Sequence, residues 1–107
     1  MATRVELYYY PDCPSHEGAL ARLQAVLDEA GLALPVAVIR VETLAEAQRH
    51  GFAGSPTVRI DGLDIDPASV GDAPQLTCRA YRLEDGRISP LPSETMIRRA
   101  LGIDTPP

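Results

Sequence analysis

Two cysteines, Cys13 and Cys78, and two histidines, His16 and His50, are the residues of this chain best suited to chemistry near neutral pH. A thiolate is a nucleophile and a soft metal ligand, and imidazole is the side chain that ordinarily titrates in that range. Cys13 has the more telling surroundings. It lies in Tyr8-Tyr9-Tyr10-Pro11-Asp12-Cys13-Pro14-Ser15-His16, where a strand-like run gives way to a helical pattern. The spacing predicts Cys13 at the helix N-cap and Pro14 at the first helical position, where a missing N–H costs nothing. A thiol there faces unpaired backbone N–H groups and the positive end of the helix dipole, and both favour the thiolate. The same residue type also serves as a small buried hydrophobe. His50 falls in the last turn of a short helix, where it reads as a cation near a helix C-terminus with no catalytic role.

The elements that must position Cys13 follow from patterning. Thr3 to Tyr10 alternates as a first strand, and Pro14 to Ala30 carries the apolar stripe Leu20, Leu23, Leu27 and Ala30, with Gly31 as its stop. Pro35 to Val41 is an almost continuous apolar run, which predicts a strand buried on both faces of a parallel pair. Strand, helix, strand in that order is a right-handed crossover unit. Thr43-Leu44-Ala45-Glu46 is a capping box, so a second helix runs from there to about His50 and ends at Gly51. Asp61-Gly62 predicts a two-residue hairpin that pairs Ile60 with Leu63 and Val58 with Ile65 on one apolar face, with Pro56 just before its first strand. Residues 66 to 77 turn irregular. Their aspartates, with Asp61 and Asp64, do not match the spacing of a calcium loop, and turn chemistry accounts for them, so no metal site is assigned. A further strand over 78–84 and the Asp85-Gly86 turn predict a second hairpin pairing Glu84 with Arg87 and Leu83 with Ile88. Ser93 caps a last helix through Leu101, and residues 104–107 are expected to fray.

Length and charge set the outer limits. The chain of 107 residues suits one domain spanning 1–107. A net charge of −5 argues against a broad basic surface for nucleic acid. No apolar run reaches the roughly 20 residues a bilayer crossing needs, so no membrane partner is expected. The N-terminal Met-Ala-Thr-Arg-Val-Glu lacks the regions of a signal peptide, which reads as cytoplasmic. In a reducing compartment two cysteines point to a reactive thiol or a metal site rather than a structural staple.

A strand, a Cys-Pro helix start, a crossover, a short helix and then Phe52-x-Gly54-Ser55-Pro56-Thr57 opening a hairpin resembles the thioredoxin superfamily. With the later Cys78-Arg79-x-Tyr81 it is similar to small thioredoxin-like proteins, some of whose relatives carry selenocysteine at the position of Cys13 or are labelled alkylmercury lyases. The resemblance covers roughly 3 to 65 and the last helix. It implies an α/β fold with a central mixed sheet, helices on both faces and, beyond the family core, an extra C-terminal hairpin. It also implies a cis Ser55–Pro56 bond beside the nucleophile Cys13, with Tyr10, Ser55 and Pro56 bordering the substrate. One departure matters: His16 stands where the family's second cysteine would be, so a dithiol within one helical turn is impossible. His16 then reads as a surface residue, as an imidazole that stabilises the Cys13 thiolate, or as a metal ligand beside Cys13, though two ligands are too few for a closed zinc site.

The leading expectation is a thiol-dependent oxidoreductase that needs no cofactor. Cys13 attacks a disulfide or peroxide, and Cys78, glutathione or another small thiol completes the cycle. Its partners would be a thiol or disulfide substrate, glutathione or a partner protein. Strand direction is expected to bring Cys78 to the same end of the sheet as Cys13. Pairing of 79–83 antiparallel to 57–60 would instead carry Cys78 to the far end. Two alternatives stand beside this: mercury-type metal binding or lyase-like chemistry through Cys13 and Cys78, and a redox-inactive binding module. The oligomeric state is not encoded in any feature of the sequence.

Overall fold

In a computed structural model, residues 3–66, 76 and 79–103 are described. Cys78, most of the irregular segment and residues 104–107 lie outside them, so the expectations placed there are not addressed by the fold. The described elements are β1 (Val5–Tyr9), α1 (His16–Glu29), β2 (Val36–Arg40), α2 (Leu44–His50), β3 (Thr57–Ile60), β4 (Leu63–Asp64), β5 (Tyr81–Arg82), β6 (Ile88–Ser89) and α3 (Glu94–Ala100). They make a mixed α/β structure with a four-stranded sheet in the order β2-β1-β3-β4 and a separate β5–β6 ribbon.

The crossover unit forms as patterned: β1 and β2 are parallel, with Val5 opposite Val36 and Tyr9 opposite Arg40. β3 runs antiparallel to β1, with Leu7 opposite Val58. Two apolar clusters flank these strands. Val5, Leu7, Val58, Ile60 and Ile65 pack with Ala19, Leu23, Val26 and Leu27 of α1, with Tyr81, and with Met96 and Ile97 of α3. Tyr8 packs with Val41, Ala47 of α2 and Phe52. Leu7 and Tyr8 are consecutive on β1 and therefore point to opposite sides of the strand.

The start signals of α2 and α3 act where the sequence places them. Thr43 Oγ1 accepts from Glu46 N at 3.1 Å, and Ser93 Oγ accepts from Met96 N at 3.1 Å. Asp61 (φ 53°) and Gly62 (φ 82°) supply the two positive φ values of a type I′ turn. Asp61 is also fixed to β1, its N donating to Arg4 O at 2.7 Å and its carboxylate accepting from Arg4 N at 2.8 Å. Ile60 pairs with Leu63, and Ile65 N donates to Val58 O.

Four expectations need correction. α1 begins at His16 with Ser15 as N-cap, so Cys13 lies two residues before the cap rather than at it. Among the described residues β2 is paired on one side only: as the sheet's edge it leaves Val38 47 % exposed, and its continuous apolar character does not mean burial on both faces. Leu63 does not join Ile60, Val58 and Ile65 in the core; it is 74 % exposed beyond the end of the sheet's packed face. The second hairpin is one residue out of register. Arg82 pairs with Ile88, Leu83 N bonds Arg87 O, and Gly86 N bonds Leu83 O, which makes a three-residue loop closed by Gly86 at φ 87°. A one-residue slip exchanges faces. Tyr81 therefore points into the core, and Ile88 is 59 % exposed opposite Arg82.

Candidate functional site

Cys13 is held by the turn that follows β1. Its N donates to Tyr10 O at 2.9 Å, closing Tyr10-Pro11-Asp12-Cys13 into a tight bend. Pro11 and Pro14 restrict φ on either side of the pair between them. The residue is 2 % exposed, and Sγ lies 3.4 Å from the carbonyl oxygen of Ser55. That carbonyl belongs to the Ser55–Pro56 peptide, which is cis. Ser55 also receives Tyr10 N on its Oγ at 3.0 Å, so one residue ties the end of β1 to the bend that carries the thiol.

Each carbonyl of the Gly54-Ser55-Pro56 loop has a donor. Thr57 Oγ1 donates to Gly54 O at 2.6 Å, Arg79 N to Ser55 O at 2.8 Å, and Tyr81 Oη to Pro56 O at 2.5 Å. The guanidinium of Arg79 makes a two-point bond to Asp64, Nη1 at 2.8 Å and Nη2 at 2.7 Å, and Nη1 donates to Thr57 Oγ1 at 3.1 Å. It lies over the Tyr81 ring, 4.5 Å from its centroid. Burial works against the charge on Arg79, but the bond to Asp64 and the neighbouring Tyr81, Asp64 and Asp66 outweigh it and hold the proton more firmly. Burial likewise pushes the Tyr81 hydroxyl well above the ordinary tyrosine range.

His16 is close to Cys13 but bonded to its backbone. Nδ1 lies 2.7 Å from Cys13 O, and the ring stacks on Tyr9 with centroids 4.4 Å apart. A carbonyl only accepts, so Nδ1 carries the hydrogen and Nε2 is the nitrogen left for proton exchange. Tyr10 enters the site through its backbone; its hydroxyl donates to Asp12 at 3.1 Å, and that bond, then the Asp12 charge, raises its pKa. Ser55 and Pro56 are both fully buried.

Cys13, His16, Tyr10, Ser55 and Pro56 are thus brought together, and Cys78 falls outside the described residues. Sequence reasoning missed the work of Gly54, Arg79 and Tyr81. The signal was present in the first case: Gly54 has φ 136°, and a Cβ there would stand 3.1 Å from Arg79 Cα, so no other residue fits without displacement. Arg79 and Tyr81 alternate along the chain toward one side, a pattern visible only once the register of the ribbon is known. A groove of about 640 Å³ lies elsewhere, beyond the other end of β3, lined by Ile60, Leu63, Ile65, Met96 and charges of both signs. None of the residues around Cys13 lines it.

Among the described residues no group of three or more His, Cys, Asp or Glu is placed to hold a metal, and no helix is long and apolar enough to cross a membrane. No protein-family model matches this chain, and no curated protein matches it.

Proposed function

We propose that the chain is a thioredoxin-like domain with helices on both faces of its sheet, acting as a thiol-dependent oxidoreductase through Cys13. The layering is supported by the two clusters on opposite sides of β1, one containing α1 and α3 and the other α2. The observation that carries the chemistry is the placement of Cys13 Sγ at 3.4 Å from the carbonyl of Ser55, the residue that precedes the cis proline. The Cys13 thiolate attacks one sulfur of a disulfide, forming a mixed disulfide and expelling the other sulfur as a thiolate. A second thiol attacks the Cys13 sulfur, frees the remaining substrate thiol and leaves a new disulfide for an external thiol to reduce. Cys78 is the chain's own candidate for that second thiol. What supports it is the next residue in sequence, Arg79, whose N donates to the carbonyl that faces Cys13. The substrate class is a small or protein disulfide, with glutathione as the reductant in a reducing, cytoplasmic setting. His16 Nε2 is the group we assign to proton exchange with the leaving thiolate.

A second reading, a redox-inactive binding module, is favoured by the 2 % exposure of Cys13. One experiment separates them: reduction of insulin and of a small aromatic disulfide by the wild type, with and without glutathione. The oxidoreductase reading expects glutathione-supported turnover that is lost in Cys13→Ser and retained in Cys78→Ser, and, without glutathione, a single stoichiometric round of reduction by the pre-reduced wild type that stalls at the mixed disulfide in Cys78→Ser. Turnover no faster than glutathione alone would sink it in favour of the binding module.

A further inference from the structure

We infer that Arg79 and Tyr81 are positioning residues that latch the Ser55-Pro56 loop over Cys13 and so set how readily its thiol reacts. The inference goes beyond the oxidoreductase reading and does not need it, because it concerns the resting thiol and not a substrate. Its basis is the pattern of bonds on three successive carbonyls. Arg79 N holds Ser55 O at 2.8 Å, Tyr81 Oη holds Pro56 O at 2.5 Å, and the Arg79 guanidinium holds Thr57 Oγ1, itself the donor to Gly54 O. Ser55 O also faces Cys13 Sγ, at 3.4 Å.

The latch has an anchor of its own. Arg79 and Asp64 are 3 % and 13 % exposed at their side chains, and their two-point bond fixes the guanidinium to β4. Tyr81 is fully buried, so its hydroxyl has no water to turn to in place of Pro56 O. A carbonyl can only accept, so its bond to Cys13 holds a hydrogen on sulfur and favours the neutral thiol. With the latch closed, Cys13 is covered and protonated; with Ser55 O released, the sulfur gains room and loses the acceptor that holds its proton. Among the described residues, the charged and titratable groups around the thiol include Asp12 and His16 on its own turn, Tyr9 and Tyr10 at the end of β1, and Arg79 and Tyr81 on the latch.

The test reads the reaction of Cys13 with iodoacetamide between pH 6 and 10, in a Cys78→Ser background so that one thiol reports. Tyr81→Phe removes a single hydroxyl at constant ring size, and Asp64→Asn removes the charge that anchors Arg79. Ile97→Val, on α3 in the same core and with no polar side-chain atom to bond the loop, is the control for general loosening. The expected result is alkylation at pH 7 about tenfold faster in both latch variants, with a midpoint about one pH unit lower, since one unit corresponds to tenfold more thiolate. The control should move neither once rates are compared at equal fractions folded. Latch variants that behave like Ile97→Val would overturn the inference, and so would loss of the folded state in both, which would make these bonds general staples. If Asp64→Asn alone fails to fold, Tyr81→Phe decides. Because no disulfide substrate is used, a negative insulin assay leaves this result standing, and the reverse also holds.

Discussion

The tyrosine hydroxyl that donates to Pro56 O from a fully buried position is a proton reservoir with a pH signature. Tyr81 holds its proton more tightly folded than unfolded, so its contribution to stability is complete below the unfolded value of about 10 and declines as pH rises above it. Over that range the wild type should lose up to about 1.4 kcal/mol per pH unit more than Tyr81→Phe, in which the group is absent. Tyr8, raised chiefly by burial and then by Glu6, and Tyr10, raised by Asp12, remain in both proteins and supply a common background slope. Urea unfolding at several pH values from 8 to 11 checks this; parallel curves would mean that the hydroxyl is not held. Cys13 raises the complementary question at lower pH. Placed at a helix N-cap, its thiolate would be favoured, but two residues before the cap, 2 % exposed and against a carbonyl, the neutral thiol is favoured instead. The alkylation midpoint of the wild type is therefore expected above that of Tyr81→Phe, in which the loop over the sulfur is loosened. A wild-type midpoint at or below that of the variant would show the helix dipole prevailing over burial.

At the scale of elements, the loop before β3 depends on one backbone conformation. Gly54→Ala puts a side chain at φ 136° and its Cβ at 3.1 Å from Arg79 Cα, where backbone and not a flexible tip must yield. The expected loss is about 2–4 kcal/mol, seen as a lower urea midpoint with unchanged slope. An effect under 1 kcal/mol would mean that the loop relaxes without cost to the rest of the fold. Turn chemistry and caps were readable because they are local: Asp61-Gly62, Thr43 with Glu46, and Ser93 each act within four residues of chain. The parallel β1–β2 pair and the order of elements followed from patterning of the same kind. What escaped depended on distant partners. β2 reads as a buried strand from its composition, and only the sheet order shows it at an edge. Asp85-Gly86 fits a two-residue or a three-residue loop equally well, and packing of Tyr81 into the core selects the latter. The cluster around Cys13 was legible as residues but not as contacts, since Arg79 and Ser55 are brought together across 23 intervening residues by a fold whose register was misjudged.

At the scale of the molecule, the four-stranded sheet and the β5–β6 ribbon are separate ladders among the described residues, joined by the Arg79 N–Ser55 O bond, by Tyr81 Oη on Pro56 O and by side-chain contact. Part of that joint is apolar, with Tyr81 and Leu83 packed into the cluster that β1, β3, α1 and α3 share. Its ionic part is the bond between Arg79, just before β5, and Asp64 in β4. A surface pair of this kind would contribute little, because water and side-chain entropy offset its attraction. At 3 % and 13 % side-chain exposure the pair behaves differently: removing one partner takes from a buried charge the counter-charge bonded to it at two points. Asp64→Leu alone should therefore lose about 3–5 kcal/mol, a large fraction of the stability of a domain this size. Arg79→Met alone should cost a similar amount through the orphaned carboxylate. The double variant Asp64→Leu with Arg79→Met removes both charges together and should recover most of either loss. Urea unfolding of the four proteins measures the coupling directly. A double variant as weak as the sum of the singles would show that the two residues contribute through separate contacts, and would assign the joint to the apolar packing around Tyr81.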